Sequence, residues 1–128
     1  MEELCNVSKI IGLTLKDIHV NRDADVITFV SECGRIFQMY HDQDCCETVQ
    51  IEDICGDLND LIGERINMAY ESSNEDPNAD ESAKWTFYKF ATIKGFVDIR
   101  WYGYSNGYYS ESVSFYEVKD NKDFNEVI

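Results

Sequence analysis

The sequence has a single proline, seven glycines and two histidines among its 128 residues. This scarcity of proline and glycine excludes collagen-like and low-complexity chains. No apolar run approaches the roughly 18 residues of a membrane-spanning helix. Basic residues are also few, since 11 Lys and Arg stand against 25 Asp and Glu, a net charge of −14. We therefore expect no direct binding to nucleic acid and no membrane association.

Established catalytic motifs are absent as well. The sequence contains no glycine-rich phosphate loop, no Gly-x-Ser-x-Gly and no His-Glu-x-x-His. The segment from Met1 to Cys5 is acidic and has no apolar signal core. These absences predict a cytoplasmic protein that has no cofactor and is not an enzyme.

The cysteines offer a weak metal signal. Cys33, His41, Cys45, Cys46 and Cys55 fall within 23 residues. Zinc ligands usually come in two closely spaced pairs, and only His41 and Cys45 have such a spacing. An odd number of cysteines in a cytoplasmic protein also disfavours a disulfide framework. We therefore expect no metal, and thiols that are reduced and buried.

A sizeable core is nevertheless expected, because 44% of the residues are hydrophobic and 13% are aromatic. Alternating apolar residues predict two antiparallel meanders. The predicted strands are 13–20, 26–30 and 35–40 in the first meander, and 65–72, 84–93, 96–104 and 108–118 in the second. Gly34 is expected to turn with a positive φ, and Asn106-Gly107 is the strongest hairpin signal in the chain.

Between the meanders the apolar period changes to that of a helix. Six apolar residues over 51–62 follow the i, i+3, i+4, i+7 pattern, and Gly63 is placed as a C-terminal stop. They are Ile51, Ile54, Cys55, Leu58, Leu61 and Ile62. A shorter helix is predicted over 2–10.

Together these elements predict an α+β fold in one domain, with a mostly antiparallel sheet of about six to seven strands. The first meander would occupy 1–47, the amphipathic helix 48–63, the second meander 64–118 and a polar tail 119–128. Similar residues recur at offsets that only increase, from Ile11-Gly12 and Ile62-Gly63 to Glu47 and Glu111. An internal duplication explains this echo, and two unrelated meanders with similar turns explain it equally well.

The negative charge is concentrated in one part of the chain. Residues 41–81 hold 13 acids and one base, a net charge of −12. On the predicted helix, Asp53, Asp57 and Asp60 would form a ridge of carboxylates. Such a ridge suits a basic partner protein or mimics the phosphates of nucleic acid, and it equally suits a solvated surface. The predicted partner-binding residues are Glu52, Asp53, Asp57, Asp60, Asp76, Asp80 and Glu81.

A second group of residues suggests a small ligand. Asp98, Arg100 and Tyr102 alternate on one face of a predicted strand. An arginine beside aromatic rings suits a planar or phosphorylated ligand such as a nucleotide. The alternative is an exposed Asp98–Arg100 ion pair. The predicted ligand-binding residues are Asp98, Arg100, Tyr102, Asn106, Tyr108, Tyr109 and Glu111.

A third hypothesis is a cryptic enzyme. His41 and Cys45 could form a base and nucleophile, with Asp44 or Glu47 orienting the imidazole. Neighbouring carboxylates would raise the pKa of a cysteine, however, and residues so close in sequence seldom form a catalytic pair.

Three segments resemble those of a family of small phage and prophage proteins: His41 to Glu47 (HDQDCCE), Asp98 to Gly103 (DIRWYG) and Ser105 to Glu111 (SNGYYSE). The resemblance covers about residues 10–117 and brings no activity or site residue with it. It implies a phage accessory protein in a bacterial host cytoplasm, where small acidic proteins often block a host defence protein.

The leading hypothesis is therefore a non-enzymatic inhibitor that binds the basic surface of a host defence protein, in the manner of an anti-CRISPR or anti-restriction protein. The first alternative is a sponge that sequesters a nucleotide signal, and the second is the Cys/His enzyme. A homodimer is compatible with each of them.

Overall fold

The computed structural model describes residues 2–107 and 109–118, so that Tyr108 and the predicted tail 119–128 lie outside the described residues. Within them the chain forms nine strands and two 3-10 helices. The strands are β1 (Glu2–Leu4), β2 (Leu15–Val20), β3 (Val26–Ser31), β4 (Ile36–Tyr40), β5 (Thr48–Cys55), β6 (Met68–Glu75), β7 (Ser82–Thr92), β8 (Gly95–Ser105) and β9 (Ser114–Val118). The 3-10 helices are Val7–Ile10 and Leu58–Leu61. No described helix has the length and apolar character needed to cross a membrane.

The strands form two antiparallel sheets that share one core. The first sheet has the order β1-β9-β4-β3-β2 and the second the order β5-β8-β7-β6. Phe29 of the first sheet packs against Phe90 of the second, with ring centroids 5.4 Å apart. The indole N–H of Trp101 points at the sulfur of Met39 at 3.3 Å. These contacts across the interior make the molecule a β-sandwich.

Strand β8 shows why the sequence builds this arrangement. Its residues alternate between the interior and the outer face, with Val97, Ile99 and Trp101 fully buried. The alternate residues face outward, and among them Phe96 and Tyr104 are 59% and 52% exposed. Period-two burial of this kind is expected of a strand with one face on the core.

The expected α+β class is wrong. Every strand pair in the described residues is antiparallel, and the two four-residue 3-10 helices are the only helical segments there. The predicted first meander is present as β2-β3-β4. In the second sheet β6, β7 and β8 also form a meander, with β5 added at its edge.

The predicted helix over 51–62 is a strand followed by a 3-10 turn. Strand β5 pairs with β8, and its register shifts between Ile51 and Asp53. That bulge places Ile51 opposite Trp101 and Ile54 opposite Ile99, so two apolar residues three apart face the same core. Leu58 and Leu61 then belong to the 3-10 helix. A bulged strand joined to a 3-10 turn thus reproduced the helical spacing.

Two smaller predictions also fail. The expected helix over 2–10 consists of β1, which pairs with β9, and a separate 3-10 helix. Asn106-Gly107 does not close a hairpin, because β8 pairs with β5 and β7 whereas β9 pairs with β1 and β4. Gly34, in contrast, has the predicted positive φ, at 94°.

Candidate functional site

A cleft of about 530 Å³ opens at one end of the second sheet. One wall is the loop between β6 and β7, and the other is the end of β8 with the turn after it. The described residues that line the cleft are Cys46, Asp76, Asn78, Ala79, Asp80, Glu81, Ser82, Tyr102, Tyr104, Ser105 and Asn106. Three are carboxylates and none is Lys, Arg or His. We therefore call it the acidic cleft.

Asp76 shapes the loop wall of the cleft. Its side chain accepts a hydrogen bond from the N–H of Asn78 at 2.9 Å, and its own N–H donates to the carbonyl of Ala83 at 2.9 Å. The other carboxylate oxygen accepts from the hydroxyl of Tyr102 at 2.8 Å. This hydrogen bond, together with desolvation, raises the pKa of Tyr102 to about 12. The loop is therefore tied directly to β8.

Glu111 lies behind the cleft and bonds to two of its serines. Its two carboxylate oxygens accept from Ser82 at 3.2 Å and from Ser105 at 2.8 Å. The segment that carries Glu111 lies against Gly103, where an added Cβ would stand 3.1 Å from both the Cβ and the carbonyl oxygen of Glu111. Only a residue without a side chain allows this approach.

A buried carboxylate, Glu47, organises the turn that carries Cys46. Its side chain is 0% exposed and accepts the N–H groups of Asp44 and Cys45, each at 2.9 Å. It also accepts from His41 at 2.6 Å. Desolvation raises the pKa of Glu47, but the hydrogen bonds from Cys45, His41 and Asp44 outweigh it and lower the pKa from 4.5 to about 2.

His41 connects this turn to the segment behind the cleft. Its Nε2 lies 2.6 Å from Glu47 and its Nδ1 lies 2.6 Å from the carbonyl oxygen of Ser112. Both ring nitrogens of His41 are therefore engaged by groups on two different segments. The hydroxyl of Tyr116 adds a hydrogen bond to Asp42. Segments 41–47 and 105–112, far apart in sequence, are therefore neighbours.

The cleft continues into a row of aromatic side chains on the outer face of the second sheet. Trp85 and Tyr102 have ring centroids 5.3 Å apart, and Tyr102 and Tyr104 have theirs 6.3 Å apart. A second hollow of about 150 Å³ lies on the β5 side of the two tyrosines. Tyr102 and Tyr104 line both hollows.

The predicted ridge of carboxylates does not exist, because its helix does not exist. Asp53 lies on β5, with a carboxylate oxygen 3.9 Å from the Arg100 guanidinium. Asp57 caps the second 3-10 helix by accepting the N–H of Asn59, and Asp60 lies within that helix beside Gly95. The other predicted partner-binding acids have separate positions. Asp76, Asp80 and Glu81 line the acidic cleft, and Glu52 lies at the second hollow.

The predicted ligand face is divided between two places. Tyr102 and Asn106 line the acidic cleft, and Glu111 lies behind it. Arg100, by contrast, forms an ion pair of 2.6 Å with Glu52, which also accepts the indole N–H of Trp85 at 3.1 Å. Asp98 is 3.8 Å from Lys89. Tyr109 is half-buried, its carbonyl oxygen accepting from Ser105, and Tyr108 lies outside the described residues.

The predicted base and nucleophile are each bonded to other groups, although Glu47 does contact the imidazole as proposed. Both ring nitrogens of His41 are engaged, and the sulfur of Cys45 is bonded to that of Cys46. None of the five cysteines is buried, contrary to expectation. Cys5 is half-buried and packs against the core, whereas the other four are exposed. The bond between Cys45 and Cys46 also contradicts the expectation that the thiols are reduced.

Sequence reasoning missed Asn78, Ser82, Tyr104 and Ser105 as members of the site. Tyr104 alone carried a usable signal, since it continues the outward alternation of Arg100 and Tyr102. The serines and Asn78 come from segments whose proximity depends on strand pairing.

The fold and the site together define a small antiparallel β-sandwich with an open acidic cleft at one end. Residues 7–115 match the family DUF7448, described as a domain of unknown function, and the chain belongs to that family. No curated protein and no solved structure matches the chain.

Proposed function

We propose that this protein is a non-enzymatic inhibitor that holds a basic segment of a partner protein in its acidic cleft. The partner, following the resemblance to phage proteins, is a host defence protein in a bacterial cytoplasm. The observation that carries the proposal is the charge of the cleft, which presents three carboxylates and no basic side chain among its described lining residues.

Electrostatics supports a basic partner. Asp80 and Glu81 are exposed on the loop, and neither forms an ion pair within 2–107 and 109–118. A concave surface lined by one sign of charge focuses its field and accelerates the arrival of a partner of opposite charge. The net charge of −14 adds to this attraction at longer range.

The geometry favours a protruding basic loop over a flat nucleic-acid-binding surface. Mimicry of nucleic acid needs a row of carboxylates, and Asp53, Asp57 and Asp60 do not form one. The carboxylates that do cluster are the three in the cleft. A nucleotide sponge receives less support, because the guanidinium of Arg100 is already paired with Glu52.

The test is a pull-down from bacterial lysate, washed first at low and then at high salt. The parent protein is compared with the double variant Asp80→Asn/Glu81→Gln and with the matched control Glu32→Gln/Glu64→Gln, which removes two exposed carboxylates outside the cleft. We expect a basic host protein that the parent and the control retain at low salt and release at high salt. Equal retention by the cleft variant would refute the proposal.

A further inference from the structure

The outer face of the second sheet carries two hollows with a shared wall. The acidic cleft lies on the side of the β6–β7 loop, and the second hollow lies on the side of β5. Tyr102 and Tyr104 line both of them. The two hollows therefore flank the two rings, and we call the surface formed by Tyr102, Tyr104 and the hollows beside them the tyrosine groove.

We propose that the tyrosine groove binds an extended peptide segment with arginines at alternate positions. The proposal rests on the proposed function and names the chemistry of the bound partner segment. The peptide would run along β8 over the two rings, and its arginines would reach the carboxylates of the acidic cleft.

The spacing of the rings suits an extended chain. The centroids of Tyr102 and Tyr104 are 6.3 Å apart. In an extended strand, side chains two residues apart are separated by roughly 6.8 Å. Each ring can therefore meet one of two alternate side chains, without any bend in the peptide.

The chemistry of the groove favours arginine at these positions. A guanidinium stacks on an aromatic face and at the same time forks its N–H groups toward a carboxylate. Tyr104 offers an exposed ring, 52% accessible, beside the exposed carboxylates Asp80 and Glu81. At the second hollow Glu52 is already paired with Arg100, so Asp80 and Glu81 are the carboxylates that would meet a bound guanidinium.

The ring of Tyr102 is held in position to serve as the fixed part of this surface. Its hydroxyl donates to Asp76 at 2.8 Å, and the ring packs beside Trp85. A side chain that is already ordered loses little conformational entropy when a ligand binds. Tyr104, which is more exposed, adds contact area at the entrance.

The experiment measures the fluorescence anisotropy of a labelled Gly-Ser-Arg-Gly-Arg-Gly-Ser peptide. Its control peptide has citrulline, which keeps the shape and loses the charge, in place of both arginines. The protein variants are Tyr104→Ala and the matched control Phe96→Ala, another exposed aromatic residue at the opposite end of β8. Because both positions are exposed, we expect both variants to remain folded, and thermal melting checks this.

We expect the arginine peptide to bind the parent and the Phe96→Ala variant equally. Citrulline substitution and Tyr104→Ala should each weaken binding by roughly tenfold. Unchanged binding by Tyr104→Ala would overturn the groove. Binding of spermidine as tight as that of the arginine peptide would also overturn it. Self-association of the chain that Tyr104→Ala abolishes would overturn it as well.

Failure of this proposal is distinguishable from failure of the proposed function. One outcome is that spermidine binds as tightly as the peptide, while Asp80→Asn/Glu81→Gln still abolishes capture of the host protein. The acidic cleft is then supported, and the extended-peptide proposal is wrong. If neither the peptide nor a host protein depends on the cleft carboxylates, both proposals are wrong.

Discussion

Glu47 is the residue on which the turn at 41–47 depends. It is fully buried, and two backbone N–H groups, His41 and Gln43 all donate to its side chain. A buried group of this kind is costly to leave without its partners. The local structure of the turn therefore follows from one carboxylate more than from the apolar residues around it.

We expect Glu47→Gln to lower the melting temperature by about 10 °C or more, because the amide places an N–H₂ group against donors. The matched control is Asp44→Asn, since Asp44 contributes its backbone N–H and not its side chain to Glu47. Thermal unfolding followed by circular dichroism measures both. Equal melting temperatures for the two variants would contradict this role.

The same carboxylate predicts how stability depends on pH. In the folded state the pKa of Glu47 falls from 4.5 to about 2, so folding favours the ionised carboxylate over the protonated acid. Its stabilisation is complete above about pH 4.5 and is lost as the pH falls toward 2. We expect the difference in urea midpoint between the parent and Glu47→Gln to shrink over this interval. A difference that stays constant down to pH 2 would show that Glu47 does not act through its charge.

At the scale of elements, the turn after β5 is sterically constrained. Gly56 has a φ of +107°, and an added Cβ would lie 2.7 Å from the carbonyl oxygen of Phe96 and 3.3 Å from the Cα of Val97. These are backbone atoms, which cannot move aside cheaply. Gly34, with a φ of +94°, has nothing within 4 Å of the corresponding position.

We expect Gly56→Ala to destabilise the protein by about 2–4 kcal/mol, from left-handed backbone strain and overpacking together. Gly34→Ala is the matched control and should cost only the strain, about 1 kcal/mol. Urea denaturation gives both values. If the two substitutions cost the same, the close approach of β8 to Gly56 carries no energetic weight.

The elements that sequence alone predicted well are continuous apolar, β-branched runs such as β3 and β4, or alternating strands such as β8. The predicted strands 26–30, 35–40, 84–93 and 96–104 lie close to β3, β4, β7 and β8. The pattern failed at β5, where the bulge at Ile51–Asp53 joined two apolar residues into a helical spacing. Local patterns record which residues are apolar, but they do not record the register that decides where those residues point.

The site was predicted in pieces for the same reason. Asp76, Asp80 and Glu81 were assigned to a partner surface, and Tyr102 and Asn106 to a ligand face, but all five line one cleft. Pairing of β7 with β8 places Ser82 opposite Ser105, and both residues line that cleft. This contact depends on the pairing of two strands, so no local sequence motif predicts it.

At the scale of the whole molecule, charge should control the speed of binding. Exposed charges are screened beyond about 10 Å at 0.1 M salt. We expect Asp80→Asn/Glu81→Gln to slow association with the arginine peptide more than Asp53→Asn/Asp57→Asn/Asp60→Asn does, although the triple variant removes more charge. Stopped-flow fluorescence at low and physiological salt measures the rates. A larger effect of the triple variant would show that total charge matters more than the cleft.

The triple variant should also be the less stable protein. Asp57 caps a 3-10 helix through the N–H of Asn59, and loss of a cap typically costs about 0.5–2 kcal/mol. Denaturation of the same samples separates this effect from the change in association rate.

The strand order β1-β9-β4-β3-β2 has a consequence for the nascent chain. Residues 48–105 supply all four strands of the second sheet, which can pair as soon as they leave the ribosome. The first sheet has to wait for β9, which separates the first strand from the fourth and brings Phe115 against Phe29 and Phe37. Until Ser114–Val118 is synthesised, an apolar face and the edge of β4 remain open to proteases and chaperones. Completion of the first sheet therefore depends on the last of the described strands, whatever the speed at which the earlier ones pair.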